Sequence, residues 1–116
     1  MTTYNMPKQN NPQQIGMMFR KKREEKGLLV RQVAAVTELD QAVISRIENG
    51  ERLPTEEQVI RLAGLYGLDP NRTLTDWLSE KIVREYGDSP YASKAIRIAQ
   101  ERIMYNIRQS KDKDIT

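Results

Sequence analysis

Cysteine and histidine, the two residue types behind most covalent and metal chemistry in proteins, are absent from this 116-residue chain. Their absence removes disulfides, thiolate zinc sites, cysteine nucleophiles, the usual general base and every histidine-containing triad. Carboxylates, lysines, tyrosines and serines remain, but no pair of them is arranged for acid–base work. No catalytic residue, metal site or cofactor is therefore expected, and the chain is not expected to be an enzyme. What is left is reversible hydrogen bonding and ion pairing. Gln41, Ser45, Arg46, Asn49 and Arg52 carry groups suited to that chemistry, close together in the sequence.

Those side chains need elements to position them. Gly27, Gly50, Gly67 and Gly87 each follow a stretch of helical periodicity, and Pro54, Pro70 and Pro90 each stand at or just before the next. No run of β-branched alternation is long enough for a strand. The punctuation predicts six helices over 13–26, 30–37, 41–48, 55–66, 73–86 and 90–109, an all-α chain. Ile15, Met18 and Phe19 form an apolar stripe on the first helix, and Val59, Leu62, Ala63 and Tyr66 one on the fourth. Between them lie two short helices joined at Leu39, with Val33, Ala34 and Thr37 facing Ile44 and Ile47. Asp40 suits the N-cap of the second, because its carboxylate can accept an orphan N–H. Eight-residue helices are not stable alone, so both must pack on the first and fourth.

The formal net charge is +3, but basic and acidic residues are equal in number between 13 and 69. Bulk charge therefore decides nothing. The longest apolar runs, such as Leu28-Leu29-Val30, fall far short of the ~20 residues that cross a bilayer, so no membrane partner is expected. The opening MTTYNMPKQNNPQQ has no apolar stretch of the signal-peptide kind, which makes the cytoplasm the expected compartment. Residues 1–12 are rich in Asn, Gln and Pro and are expected to be a flexible tail. Residues 111–116 are polar and expected to fray.

The stretch GLLVRQVAAVTELDQAVISRIENGERLP, from 27 to 54, resembles the helix-turn-helix of the XRE family, the fold of lambda repressor and Cro. The small Ala34, the apolar Leu39 and the run ISRIENGERLP carry the likeness. Flanked by IGMMFRKKREEKG and PTEEQVIRLAGLYGL, it extends over about residues 15–69. The resemblance implies a five-helix lambda-repressor-like DNA-binding domain plus a C-terminal helix, with 13–69 as the helix-turn-helix core. It further implies a sequence-specific regulator that binds double-stranded DNA, with helix 41–48 in the major groove. Gln41, Ala42, Val43 and Arg46 are then the expected base contacts, and Ser45, Asn49 and Arg52 the expected phosphate contacts. Arg23 and Glu48 match positions that form a structural salt bridge. Arg20, Lys21, Lys22, Arg23 and Lys26 read as a solvated helix face rather than a phosphate-seeking one. Departures from the pattern are Leu29 and Val30 at the cap and glutamine positions, Lys22 at a core leucine position, and Glu38 at the turn glycine. With Val36, Leu29 and Val30 are expected to be exposed.

Residues 70–110 are expected to hold the C-terminal helices. Leu74, Trp77, Leu78 and Ile82 share one side of the fifth, with Trp77 packing on the core. Along the sixth, Ala92, Ile96, Ala99, Ile103 and Ile107 form an apolar face. That face either folds back within the chain or pairs with a second copy, and the resemblance favours a homodimer that uses the fifth and sixth helices, residues 70–110. An antitoxin or other protein-partner-binding module on the same fold, or a controller protein of a restriction–modification system, are the alternatives.

Overall fold

A computed structural model describes residues 14–115. Among them are six helices: α1 (Gln14–Glu25), α2 (Val30–Thr37), α3 (Gln41–Glu48), α4 (Glu56–Tyr66), α5 (Pro70–Tyr86) and α6 (Ala92–Ile115). The all-α expectation is met, and no described helix is long and apolar enough to cross a membrane. The segment 1–12, expected as a tail, lies outside the described residues.

The chain divides into two compact units, one through Glu85 and one from Tyr86. Helix α5 therefore groups with α1–α4, in keeping with a five-helix domain followed by one further helix. In that unit Ile15, Phe19, Val33, Ile44, Ile47, Val59, Leu62 and Tyr66 form the core. Burying each such side chain contributes roughly 1.5–3 kcal/mol, which is how α2 and α3 persist at eight residues. The Phe19 and Tyr66 rings lie 6.1 Å apart, tilted by 34°. Burial pushes the Tyr66 phenol up to about 12, with the nearby Glu48 charge adding to the rise.

Local chemistry sets the helix ends. Asp40 caps α3 as expected, its Oδ1 accepting from Ala42 N at 3.0 Å. Thr55 and Gln58 cap α4 reciprocally: Thr55 Oγ1 accepts from Gln58 N at 3.2 Å and Gln58 Oε1 from Thr55 N at 3.0 Å. Leu29 has no side-chain acceptor, and only half of such a box survives at α2, where Gln32 Oε1 accepts from Leu29 N at 2.8 Å. Helix α2 closes on Glu38 at φ 59°, the left-handed region that favours glycine. This geometry costs a non-glycine residue about 1 kcal/mol. Arg61 Nη1 steadies the same end by donating to Thr37 O at 3.0 Å.

Helix α5 starts three residues before the expected 73, with Pro70 first and Asp69 Oδ2 accepting from Arg72 N at 3.2 Å. It touches the core through Leu74 and Trp77, whereas Leu78 is exposed. Its fully buried residues are Thr73 and Glu80. Glu80 Oε1 accepts from Ile15 N at 2.8 Å, so a carboxylate from α5 satisfies an orphan donor at the start of α1. Burial pushes the Glu80 carboxyl above its ordinary value, against the opposing pulls of the Ile15 N–H and Arg84. The folded chain therefore holds this proton to higher pH than the unfolded chain does. The resulting stabilisation is complete below about pH 4.3 and is lost as pH rises through the raised value. Urea unfolding between about pH 4 and pH 7 should show wild type losing stability relative to Glu80→Gln. Parallel curves would contradict the shift.

In the second unit α6 runs to Ile115 rather than stopping at 109, so most of the segment expected to fray continues the helix. Lys, Asp and Gln contain no breaker, and polarity alone does not end a helix. Residues 93–112 are exposed throughout, including Ile96, Ala99, Ile103 and Ile107.

Candidate functional site

Helix α3 presents two unlike sides. Ile44 and Ile47 are each 1% exposed and anchor it inward. Gln41, Ala42 and Arg46 are exposed, as are Asn49 at the C-cap and Arg52 in the following turn. The structure therefore brings five of the seven expected contact residues to the surface together. Val43 and Ser45 are only half-exposed, and Val43 packs against the core. Val43 is partly covered because it lies beside Ile44 and Ile47 on the edge of the buried face.

The turn after α3 folds back on its last coil. Asn49 N donates to Ser45 O at 2.9 Å and Gly50 N to Ile47 O at 3.1 Å, while Glu51 N and Arg52 N both donate to Arg46 O, at 2.9 and 3.2 Å. Gly50 sits at φ 77°, where a side chain would be strained. Trp77 Nε1 donates to Pro54 O at 2.7 Å, and Arg84 Nη2 to Gly50 O at 3.1 Å. Sequence reasoning anticipated that Trp77 would pack but did not find either bond, because both depend on where α5 lies in space.

Two attachments fix α3 to α1. Arg23 Nε donates to Glu48 Oε2 at 2.8 Å and Arg23 Nη2 to Glu48 Oε1 at 2.9 Å, a bidentate pair. Arg23 Nη1 also donates to Leu28 O at 2.9 Å, which ties in the turn before α2. The side chains are 14% and 5% exposed. The hydrogen bond to Glu48 holds the Arg23 guanidinium charged beyond its ordinary range, despite the cost of burial. The expected structural pair is thus present. The second attachment is at Gly16, which is buried and has no side chain to interpose. A Cβ built there would collide with the carbonyl oxygen of Ile47 and stand 3.4 Å from Glu48 Cα.

The basic run on α1 is largely neutralised. Arg20 lies 3.8 Å from Glu24, Lys22 lies 3.5 Å from Glu25, and Arg23 is taken by Glu48. Arg20, Lys21 and Lys26 are exposed, as a solvated helix face requires, whereas Arg23 departs from that expectation because the pair with Glu48 draws it inward. Of the apolar departures at α2, Leu29 and Val36 are exposed as expected, Val36 at 67%. Val30 is not; it packs on the core at the first turn of the helix. Among the described residues no cluster of three or more acidic, cysteine or histidine side chains is placed to hold a metal ion.

Residues 14–78 match a family described as a helix-turn-helix domain. No curated protein matches the chain. Among solved structures, the clp gene regulator ClgR from Corynebacterium glutamicum is similar in fold, with a TM-score of 0.50 at 19% identity. The match covers 85% of this chain and 92% of that one.

Proposed function

This chain belongs to the helix-turn-helix domain family, and from that premise we propose that it is an XRE-type transcriptional regulator that reads duplex DNA through α3. The observation that carries this reading is the two-sided character of α3: Ile44 and Ile47 are buried, Gln41 and Ala42 face out from its capped first turn, and Arg46 faces out from its last turn. A helix so presented fits a major groove about 12 Å wide. Gln41 suits a bidentate contact to adenine, Arg46 one to guanine, and Ala42 a thymine methyl. Val43 supplies at most an edge of apolar contact. Ser45, Asn49 and Arg52 suit phosphates, which set register without reading sequence. Control would then be steric or by recruitment at a promoter.

Selection of bound duplexes from a random pool tests the reading. A palindromic enriched site is expected, and no enrichment would overturn it. On the selected site, Gln41→Ala and Arg46→Ala should each cost about 1–3 kcal/mol and relax preference at one base pair. An equal loss on every sequence would reassign them to phosphate. Arg52→Ala should weaken binding uniformly and make the salt dependence shallower.

We further propose a homodimer that pairs through α6. Its support is the exposure of Ile96, Ala99, Ile103 and Ile107 along a 24-residue amphipathic helix. Two-fold pairing would set the recognition helices about 34 Å apart, one turn of duplex. Truncation after Gly87 should give a monomer in sedimentation, and a dimer that survives would remove α6 from the interface. A protein partner on the same fold is the second reading, favoured by exposed Val36 beside Ile60. Failure to enrich any duplex would favour it.

A further inference from the structure

The segment from Asn49 to Pro54 carries two of the groups assigned to phosphate, and it has no regular structure of its own. It hinges on Gly50, the residue type with the widest backbone freedom. Left to itself, such a turn would sample several conformations, and ordering it would weaken binding. It is held at both ends from α5. Arg84 Nη2 donates to Gly50 O at 3.1 Å, and Trp77 Nε1 donates to Pro54 O at 2.7 Å. Arg84 is itself oriented: the same Nη2 lies 3.4 Å from Glu80 Oε2, one helical turn back. Glu80 in turn accepts from Ile15 N at 2.8 Å and is buried. A chain of polar contacts thus runs from the start of α1, through Glu80 and Arg84, to the turn beyond α3.

We propose that α5 is a buttress for this turn, with Arg84 the positioning residue that presets Asn49 and Arg52 for the phosphate backbone. The inference rests on the DNA reading above. The planar guanidinium suits the task because it can address a carbonyl and a carboxylate at once in a fixed geometry.

The test is a double-mutant cycle on the full chain, read as affinity for a duplex at several salt concentrations. Arg84→Met, which keeps the aliphatic stem, should weaken binding roughly five- to tenfold and make the salt dependence shallower. In a chain already carrying Asn49→Ala and Arg52→Ala, the same substitution should cost less than about twofold, because the groups it positions are gone. A full loss in both backgrounds, or none in either, overturns the buttress. Amide exchange supplies the second readout. Arg84→Met should speed exchange at Gly50, Glu51 and Arg52 while leaving α1 and α4 unchanged. Uniform acceleration would show general destabilisation and overturn the positioning role. A wild-type chain that binds no duplex overturns the DNA reading itself. A wild type that binds, with Arg84→Met binding equally well, overturns only the buttress.

Discussion

Replacing Arg23 by alanine should lower the stability of the chain by about 3–5 kcal/mol, as measured by urea unfolding. The substitution strands the Glu48 carboxylate, whose side chain is 5% exposed, without its bidentate partner. It also removes the donor to Leu28 O. A single domain has about 5–15 kcal/mol in all, so this change alone brings the fold near its threshold. The loss belongs to the stranded charge more than to the pair. Arg23→Met combined with Glu48→Leu should therefore recover most of it, since apolar replacement of both partners avoids the desolvation cost. Leu28 O still lacks its donor in the double variant, so recovery should stop short of wild type. A loss below about 1 kcal/mol for Arg23→Ala would mean that the pair behaves like an exposed surface bridge.

Gly16→Ala is the second large effect, and two opposing contributions decide its sign. Alanine is the better helix former by about 1 kcal/mol, which would stabilise α1 if the site were open. It is closed: a new Cβ collides with the Ile47 carbonyl oxygen and lies 3.0 Å from its carbon. Both atoms are backbone and cannot rotate aside. Forcing extra volume into a packed interface costs about 1–3 kcal/mol, and more where main chain must move. Urea unfolding should accordingly show a net loss of roughly 2–4 kcal/mol. Gly64→Ala is the control, because nothing lies within 4 Å of a Cβ there; it should be neutral or stabilising by up to about 1 kcal/mol. Equal behaviour of the two variants would rule out a tight α1–α3 crossing.

The helices that carry the candidate site were legible because several independent signals agree there. Asp40 as cap, Ile44 and Ile47 at helical spacing, and Gly50 beyond the end all bracket α3 at 41–48. The Arg23–Glu48 pair came from a resemblance, and the structure supplies its geometry. The buried side of α5 was only partly legible, because the helix buries Thr73 and Glu80 while leaving Leu78 exposed. A hydrophobic pattern cannot report burial achieved by polar side chains. The early start of α5 was written in Asp69-Pro70, an N-cap followed by a first-position proline. Gly16 left a fainter trace: a glycine inside an apolar stripe, between Ile15 and Phe19, is a mark of close packing. The bonds from Glu80 and Arg84 span 65 and 34 residues of chain. No local pattern encodes partners so far apart.

Gly16 and Arg23 grip the same end of α3, at Ile47 and Glu48. The opposite end, with Gln41 and Ala42, projects one turn beyond the buried Ile44, so the clamp at Ile47 and Glu48 sets its tilt together with that anchor. An eight-residue helix is ~12 Å long, so a tilt of about 5° at the clamp swings that tip by ~1 Å. Bidentate recognition tolerates little more than half of that. On the proposed DNA reading, loosening that clamp therefore blunts discrimination well before the chain unfolds.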